Sequence, residues 1–168
     1  MTLYKTLNTD GTPCHGGTGK WSLPRGKRPG AWMPEMWNIV LCERGYHILK
    51  PSMLLSWAGP ALFEAELHPD ATTMWDADKG VTSCCRLVRR VETWNDRTLR
   101  LFACDCAERA LKLVQNPDPC SVAAIEVARR FADGKAIEKE LAAAWAAAWA
   151  AEQKWQQACL QKYLRGQL

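Results

Sequence analysis

Nine of the chain's eleven glycines precede Trp94, and only Gly134 and Gly166 follow it. Glycine inside a helix costs about 1 kcal/mol relative to alanine. Long helices are therefore disfavoured in the first half and open to the second. The restriction is sharpest over residues 12–38, where Gly16, Gly17, Gly19, Gly26 and Gly30 alternate with Pro13, Pro24, Pro29 and Pro34. Neither a continuous helix nor a central strand survives that spacing, so the segment reads as one long loop. Trp21, Trp32 and Trp37 within it require some packing. The organisation expected is a β-rich domain over residues 1–93, containing the 12–38 loop, followed by a helical region over 94–168.

In the first half, Leu3-Tyr4-Lys5-Thr6-Leu7 alternates and runs into the turn Asn8-Thr9-Asp10-Gly11. Gly45 to Leu49 and Ala61 to Leu67 read as strands, with a short helix-like Pro51 to Trp57 between them. A last strand is expected over Val81 to Glu92, with Val81, Cys85, Leu87 and Val91 on one face. In the second half, Asn95 or Asp96 caps a helix that ends near Asn116, with Leu99, Phe102, Cys106, Ala110 and Leu113 on its apolar side. Asp118-Pro119 starts a second helix bearing Val122, Ile125, Ala128 and Phe131, and Gly134 stops it. A third spans about Ala136 to Leu164. The fold class expected is α+β, a mostly antiparallel sheet in the N-terminal half followed by three C-terminal helices.

The third helix carries the low-complexity core Leu141-Ala-Ala-Ala-Trp145-Ala-Ala-Ala-Trp149. Eighteen residues make five helical turns, which superimposes Ile137 on Trp155, Leu141 on Cys159 and Trp145 on Tyr163. Two uses of this stripe follow: a core seam against the two preceding helices, or a surface for a partner, since tryptophan anchors recur at interface hot spots. The partner surface expected consists of Trp145, Trp149 and Trp155, together with the loop cations Lys20, Arg25, Lys27 and Arg28. The cations Arg86, Arg89, Arg90, Arg97 and Arg100 read as a solvated edge, paired within the chain to Glu92 and Asp96, or as a surface for an acidic partner.

A hydrophobic fraction of 48% and a charged fraction of 24% in 168 residues exclude a disordered or collagen-like chain. The net charge is +4, and each side of Trp94 holds 11 Lys+Arg and 9 Asp+Glu, so neither half is a basic arm. A protein partner is favoured by this balance, and nucleic acid is only weakly supported. No apolar window reaches membrane-spanning length and no apolar segment follows the N-terminus, so no membrane partner and a cytoplasmic location are expected.

Eight cysteines in a reducing compartment read as packed thiols. No C-x-x-C pair occurs, Cys104 and Cys106 fall about 200° apart on a helix, and Cys84 and Cys85 point to opposite faces of a strand. Only Cys14, His15, Cys42 and His47 could converge on a metal. The expectation is no metal and no cofactor. Cys14-His15-Gly16-Gly17-Thr18-Gly19-Lys20 lacks the spacing of a phosphate-binding P-loop, because Trp21 follows the lysine.

Cys42-Glu43-Arg44-Gly45-Tyr46-His47, followed by Pro51, Phe63-Glu64-Ala65-Glu66 and Asp78-Lys79, resembles a small uncharacterised domain recurrent in bacteriophage and bacterial proteins. That domain has the pattern C-x-x-G-[FY]-H, then E-x-E, then a lysine-bearing last strand. The likeness covers about residues 3–93. The chain departs from it in the long Gly/Pro loop and in Leu49, where a second cysteine often stands. The family has no settled activity. The resemblance implies a small phage-type accessory protein acting by macromolecular binding, as an inhibitor of a bacterial host or defence complex would, in the host cytoplasm. The same stretch is more faintly similar to ADP-ribosyltransferases. That likeness implies an NAD-using enzyme with Glu66 as the catalytic glutamate, Glu64 as its companion, and Tyr4 or His15 touching the nucleotide. Against it stands the reading of Glu64 and Glu66 as residues of a solvent-facing strand edge.

Overall fold

The computed structural model describes residues 1–166. It divides into two compact units, Met1–Asn95 and Asp96–Leu168. The first is built of antiparallel strands and the second of three helices, a mixed α+β fold.

Unit one holds two three-stranded antiparallel sheets. The first has the order β1 (Leu3–Leu7), β3 (Ala61–Leu67), β6 (Cys85–Arg90). The second has the order β2 (Tyr46–Ile48), β5 (Gly80–Thr82), β4 (Thr73–Trp75). Tyr4 and Leu49 exchange two backbone hydrogen bonds of 2.8 Å and join the edge of β1 to the chain leaving β2. The single strand expected over Val81 to Glu92 is in fact two, since Ser83 and Cys84 break the ladder and send β5 and β6 into different sheets. Strand β4 carried no sequence signal. It is a three-residue strand, ending in the exposed Trp75, that hairpins back through Asp76–Lys79 onto β5.

The core of this unit is the inner face of both sheets. Leu7, Tyr46, Ile48, Ala61, Phe63, Ala65, Cys85 and Leu87 are buried together with Trp21 from the loop. Alternation accounts for the register: Leu3, Lys5 and Leu7 lie opposite Ala65, Phe63 and Ala61, so all six occupy the same side. The 12–38 loop has a structural task. The N–H groups of Gly30, Met33 and Met36 donate to the carbonyls of Leu87, Cys85 and Ser83, each at 2.9 Å, which covers the free edge of β6. Glycine is required at position 30, where an added Cβ would lie 1.9 Å from the Ser22 carbonyl oxygen.

Unit two consists of α1 (Asp96–Leu111), α2 (Pro119–Ala132) and α3 (Glu138–Leu164). Asp118 caps α2 by accepting from the Ser121 N–H at 3.0 Å, and Gly134, at φ +70°, ends it. The Glu140 carboxylate accepts from the Ile137 N–H at 2.8 Å and closes the start of α3. The core is small: Cys104, Ala128 and Leu141, flanked by Ile125, Val127 and Phe131. The apolar side expected for α1 is not the buried one, since Phe102, Cys106 and Leu113 are exposed and Cys104 faces inward. The helix turns its charges to use instead. Arg129 of α2 reaches Asp105 at 2.6 Å and Glu108 at 2.8 Å on α1, a fork that holds the two helices in register.

Candidate functional site

The four residues singled out as the only convergent Cys/His set, Cys14, His15, Cys42 and His47, all line one cleft in unit one. Its volume is about 180 Å³, and Lys5, Thr6, Pro13, Leu49, Trp57 and Lys79 complete its wall. Cys42 sits at the apex of the turn closed by Val40 and Arg44, with a left-handed φ of +67° that is uncommon outside glycine. Its backbone N–H donates to His47 Nε2 at 3.1 Å, which places the imidazole proton on Nδ1. Burial, reinforced by the Lys5 and Lys79 charges, holds the His47 pKa below its ordinary value, so the ring is neutral near pH 7.

Lys79 comes from the β4–β5 hairpin. Its ammonium pairs with Asp78 at 3.4 Å and lies 4.6 Å from the centre of the Trp57 ring. The neighbouring Cys42 side chain, also on the cleft wall, is the main cause of its raised pKa. The Trp57 indole N–H donates to Asp78 at 3.2 Å, and His15 packs edge-on against the same indole at 5.4 Å. Gly59 lets the chain pass: an added Cβ would come within 2.7 Å of the Cys14 sulfur. Lys5 and Trp57 were not singled out from the sequence, and Lys79 was named only within the motif of the resemblance, not with the Cys/His set. Lys5 did carry a signal, as the one charged residue at a core-phase position of the Leu3-x-Lys5-x-Leu7 alternation.

Convergence on the cleft does not make a metal site. His47 Nε2 is already occupied by the Cys42 N–H, and among the described residues no group of three or more His, Cys, Asp and Glu is arranged to hold an ion. The thiols are also less uniformly packed than expected. Cys84, Cys85 and Cys104 are buried, whereas Cys42 and Cys106 are exposed. Cys84 and Cys85 do diverge, the first donating to the Met33 carbonyl and the second entering the core.

Glu64 and Glu66 lie across β6 from Arg89 and Arg86. Arg89 closes on Glu64 with two bonds of 2.6 and 2.7 Å, and Arg86 meets Glu66 at 2.7 Å. Arg86 and Arg89 therefore pair with Glu66 and Glu64, and Arg97 pairs with Asp133 at 2.7 Å, in place of the expected Glu92 and Asp96, while the buried Nε of Arg90 has no hydrogen-bond partner among the described residues. Arg89 engages both carboxylate oxygens of Glu64, and Arg86 engages one of Glu66. His15 packs on Trp57 in the cleft, while Tyr4 is the cross-strand neighbour of Glu64.

The loop cations Lys20, Arg25, Lys27 and Arg28 are exposed. Lys20, Arg25 and Arg28 share the rim of a shallow cleft with Arg86 and one acid, Asp10. On α3 the core seam fails beyond Leu141: Trp145, Trp149 and Trp155 are 58%, 66% and 64% exposed, and Tyr163 and Leu160 are exposed as well. From Leu141 to Ala151 the half-buried positions are Ala144, Ala148 and Ala151, so α3 turns its small residues inward and Trp145 and Trp149 outward, and length adds to this past the end of α2. Leu141 packs with Ala128 and Trp145 lies beside Ala124, so the first residue of α2, Pro119, comes opposite roughly residue 150 of the antiparallel α3. The remainder of α3 runs past its neighbour. Comparison with family models, with curated proteins and with solved structures returned no match.

Proposed function

We propose that this protein acts by binding another protein, with the aromatic side of α3 as the anchor. One observation carries the reading: a helix of about 40 Å presents Trp145, Trp149 and Trp155 to water on a background of alanine. Burying an exposed indole is worth about 2–3 kcal/mol, and the alanines around each one leave room for a partner's side chains to close on it. Helix-in-groove recognition uses anchors at i, i+3, i+4 and i+7, a spacing that Trp145 and Trp149 match, with Trp155 six residues farther on widening the surface. Lys20, Arg25, Lys27 and Arg28 supply a separate cationic surface for an acidic contact, which raises association rate more than affinity. The phage-type setting, with inhibition of a bacterial host or defence complex in the cytoplasm, is carried by the likeness of residues 3–93 alone. Among the described residues no helix is long and apolar enough to cross a membrane.

The test is affinity capture from a bacterial lysate with the wild-type chain and with Trp149→Ala/Trp155→Ala side by side, scored by mass spectrometry. A protein retained by the wild type and lost by a variant of unchanged helicity supports the reading. Equal capture by both chains overturns it.

A further inference from the structure

Lys5 is in an unusual position for a lysine. It stands between Leu3 and Leu7 on the inward side of β1, opposite the buried Phe63, and its ammonium lies 5.2 Å from the centre of the Trp21 ring. The stem is half-buried, while the charged end is deeply desolvated. Among the described residues no carboxylate comes within ion-pair reach of it, although nearly every other cation buried to this degree in proteins is paired. The cleft wall that contains Lys5 also contains Lys79, His15 and His47, and no Asp or Glu. Asp78 is adjacent but is committed to Lys79 and to the Trp57 indole. The apolar part of the lining is Pro13, Leu49 and Trp57. The cleft thus combines an unneutralised cation, a second cation held by Asp78 and the Trp57 ring, and an aromatic surface beside an accessible thiol.

We propose that this cleft binds a small organic anion, its carboxylate or phosphate headgroup taken by Lys5 and Lys79 and its apolar part laid against Trp57, next to the Cys42 thiol. An anion entering here meets a charge already stripped of water, so the desolvation cost on the protein side has been met in folding. The volume of about 180 Å³ admits several water volumes of about 30 Å³ each, enough for a headgroup and a short substituent. Carboxylate and phosphate share the chemistry that Lys5 and Lys79 recognise, and the experiment separates them.

Cys42 is the reporter. With iodoacetate or iodoacetamide, the thiol proton goes to solvent and the thiolate attacks the methylene carbon. The S–C bond forms as the C–I bond breaks, and iodide leaves with its electron pair. The two reagents differ in charge, so their rate ratio at each cysteine, followed by peptide mass spectrometry, reads the local preference for an anion. Exposed Cys106 in unit two is the internal reference. The iodoacetate-to-iodoacetamide ratio at Cys42 is expected to exceed that at Cys106 at least tenfold and to fall to the Cys106 value in Lys5→Met. Inorganic phosphate or butyrate at 10 mM, on the order of the weak end of single-anion affinities, is expected to slow alkylation at Cys42 and leave Cys106 unchanged. Protection by phosphate alone assigns a phosphate headgroup, and protection by butyrate alone a carboxylate. Equal ratios at the two cysteines, or protection by neither anion, overturn the proposal. If Lys5→Met does not fold, Lys79→Gln takes its place, and a ratio unchanged there overturns it equally.

Discussion

Lys5 faces Phe63 across the β1–β3 ladder, a cation and a buried aromatic ring at one register of the same sheet face. Desolvation lowers the lysine pKa, an effect larger than the opposing influence of Cys85 and Cys14. A residue that costs stability where it stands is the signature of a site held for a ligand rather than for the fold.

Replacing Lys5 with methionine keeps the stem and removes the charge. The variant is expected to be more stable by about 1 kcal/mol or more, a rise of several degrees in Tm. Because the folded pKa is lowered, the unfolded chain holds the Lys5 proton more tightly, and wild-type stability climbs as pH rises from the folded value toward 10.5. The advantage of the variant therefore shrinks over that window. Denaturant titrations of both chains at pH 7 and near pH 10 check it, and a less stable variant at pH 7 contradicts it.

The eight cysteines should separate into reactive and silent groups. Burial raises the pKa of Cys84 and Cys104 and pushes Cys85 up to about 12, whereas Cys42 and Cys106 are exposed. An aromatic disulfide reagent at pH 8 is expected to modify Cys42 and Cys106 within minutes and to reach Cys84, Cys85 and Cys104 only after unfolding. Peptide mapping of the modified chain identifies the sites, and early labelling of Cys85 would be inconsistent with the core described.

Glu64 is held below its usual pKa by its bond to Arg89. Its contribution is then present above the ordinary glutamate pKa near 4.5 and lost as pH falls through the lower folded value. Glu64→Gln should cost about 0.5–1 kcal/mol at pH 7, a modest figure because Arg89 is largely exposed. The difference from wild type should shrink as pH falls below the ordinary glutamate range. Since Arg86 and Arg89 occupy both carboxylates, no nicotinamide release from NAD is expected from the wild type. Release that disappears in Glu66→Gln would reopen the transferase likeness.

On α3, Leu141 and the tryptophans should behave oppositely. Leu141→Ala removes a buried side chain at the centre of the small helical core and is expected to cost about 2–3 kcal/mol. Trp149→Ala/Trp155→Ala should change stability by less than about 1 kcal/mol, because both rings are mostly in water. Thermal melts followed by circular dichroism at 222 nm distinguish the two. A double variant as unstable as Leu141→Ala would show that the rings are packed in solution.

Local chemistry settled the elements themselves. The alternation of Leu3 to Leu7 and of Ala61 to Leu67, the Asp118-Pro119 start and the Gly134 stop are backbone preferences of a few residues, and each appears where the sequence puts it. The α+β class follows from glycine and proline crowding one half and alanine the other. What the sequence could not decide is which periodic face meets a neighbour. The stripe from Leu141 to Tyr163 is continuous in sequence, yet of its residues only Leu141 is buried, because α3 turns Ala144, Ala148 and Ala151 inward and outruns the shorter α2 beyond about residue 150. The break at Ser83-Cys84 likewise depends on where two separate sheets draw their partners. The cleft was half legible: Cys14, His15, Cys42 and His47 were nameable as a set. Lys79 and Trp57 arrive through a three-residue strand and a short turn that leave no periodic trace, and whether Lys5 has a counter-charge is a property of three-dimensional neighbours alone.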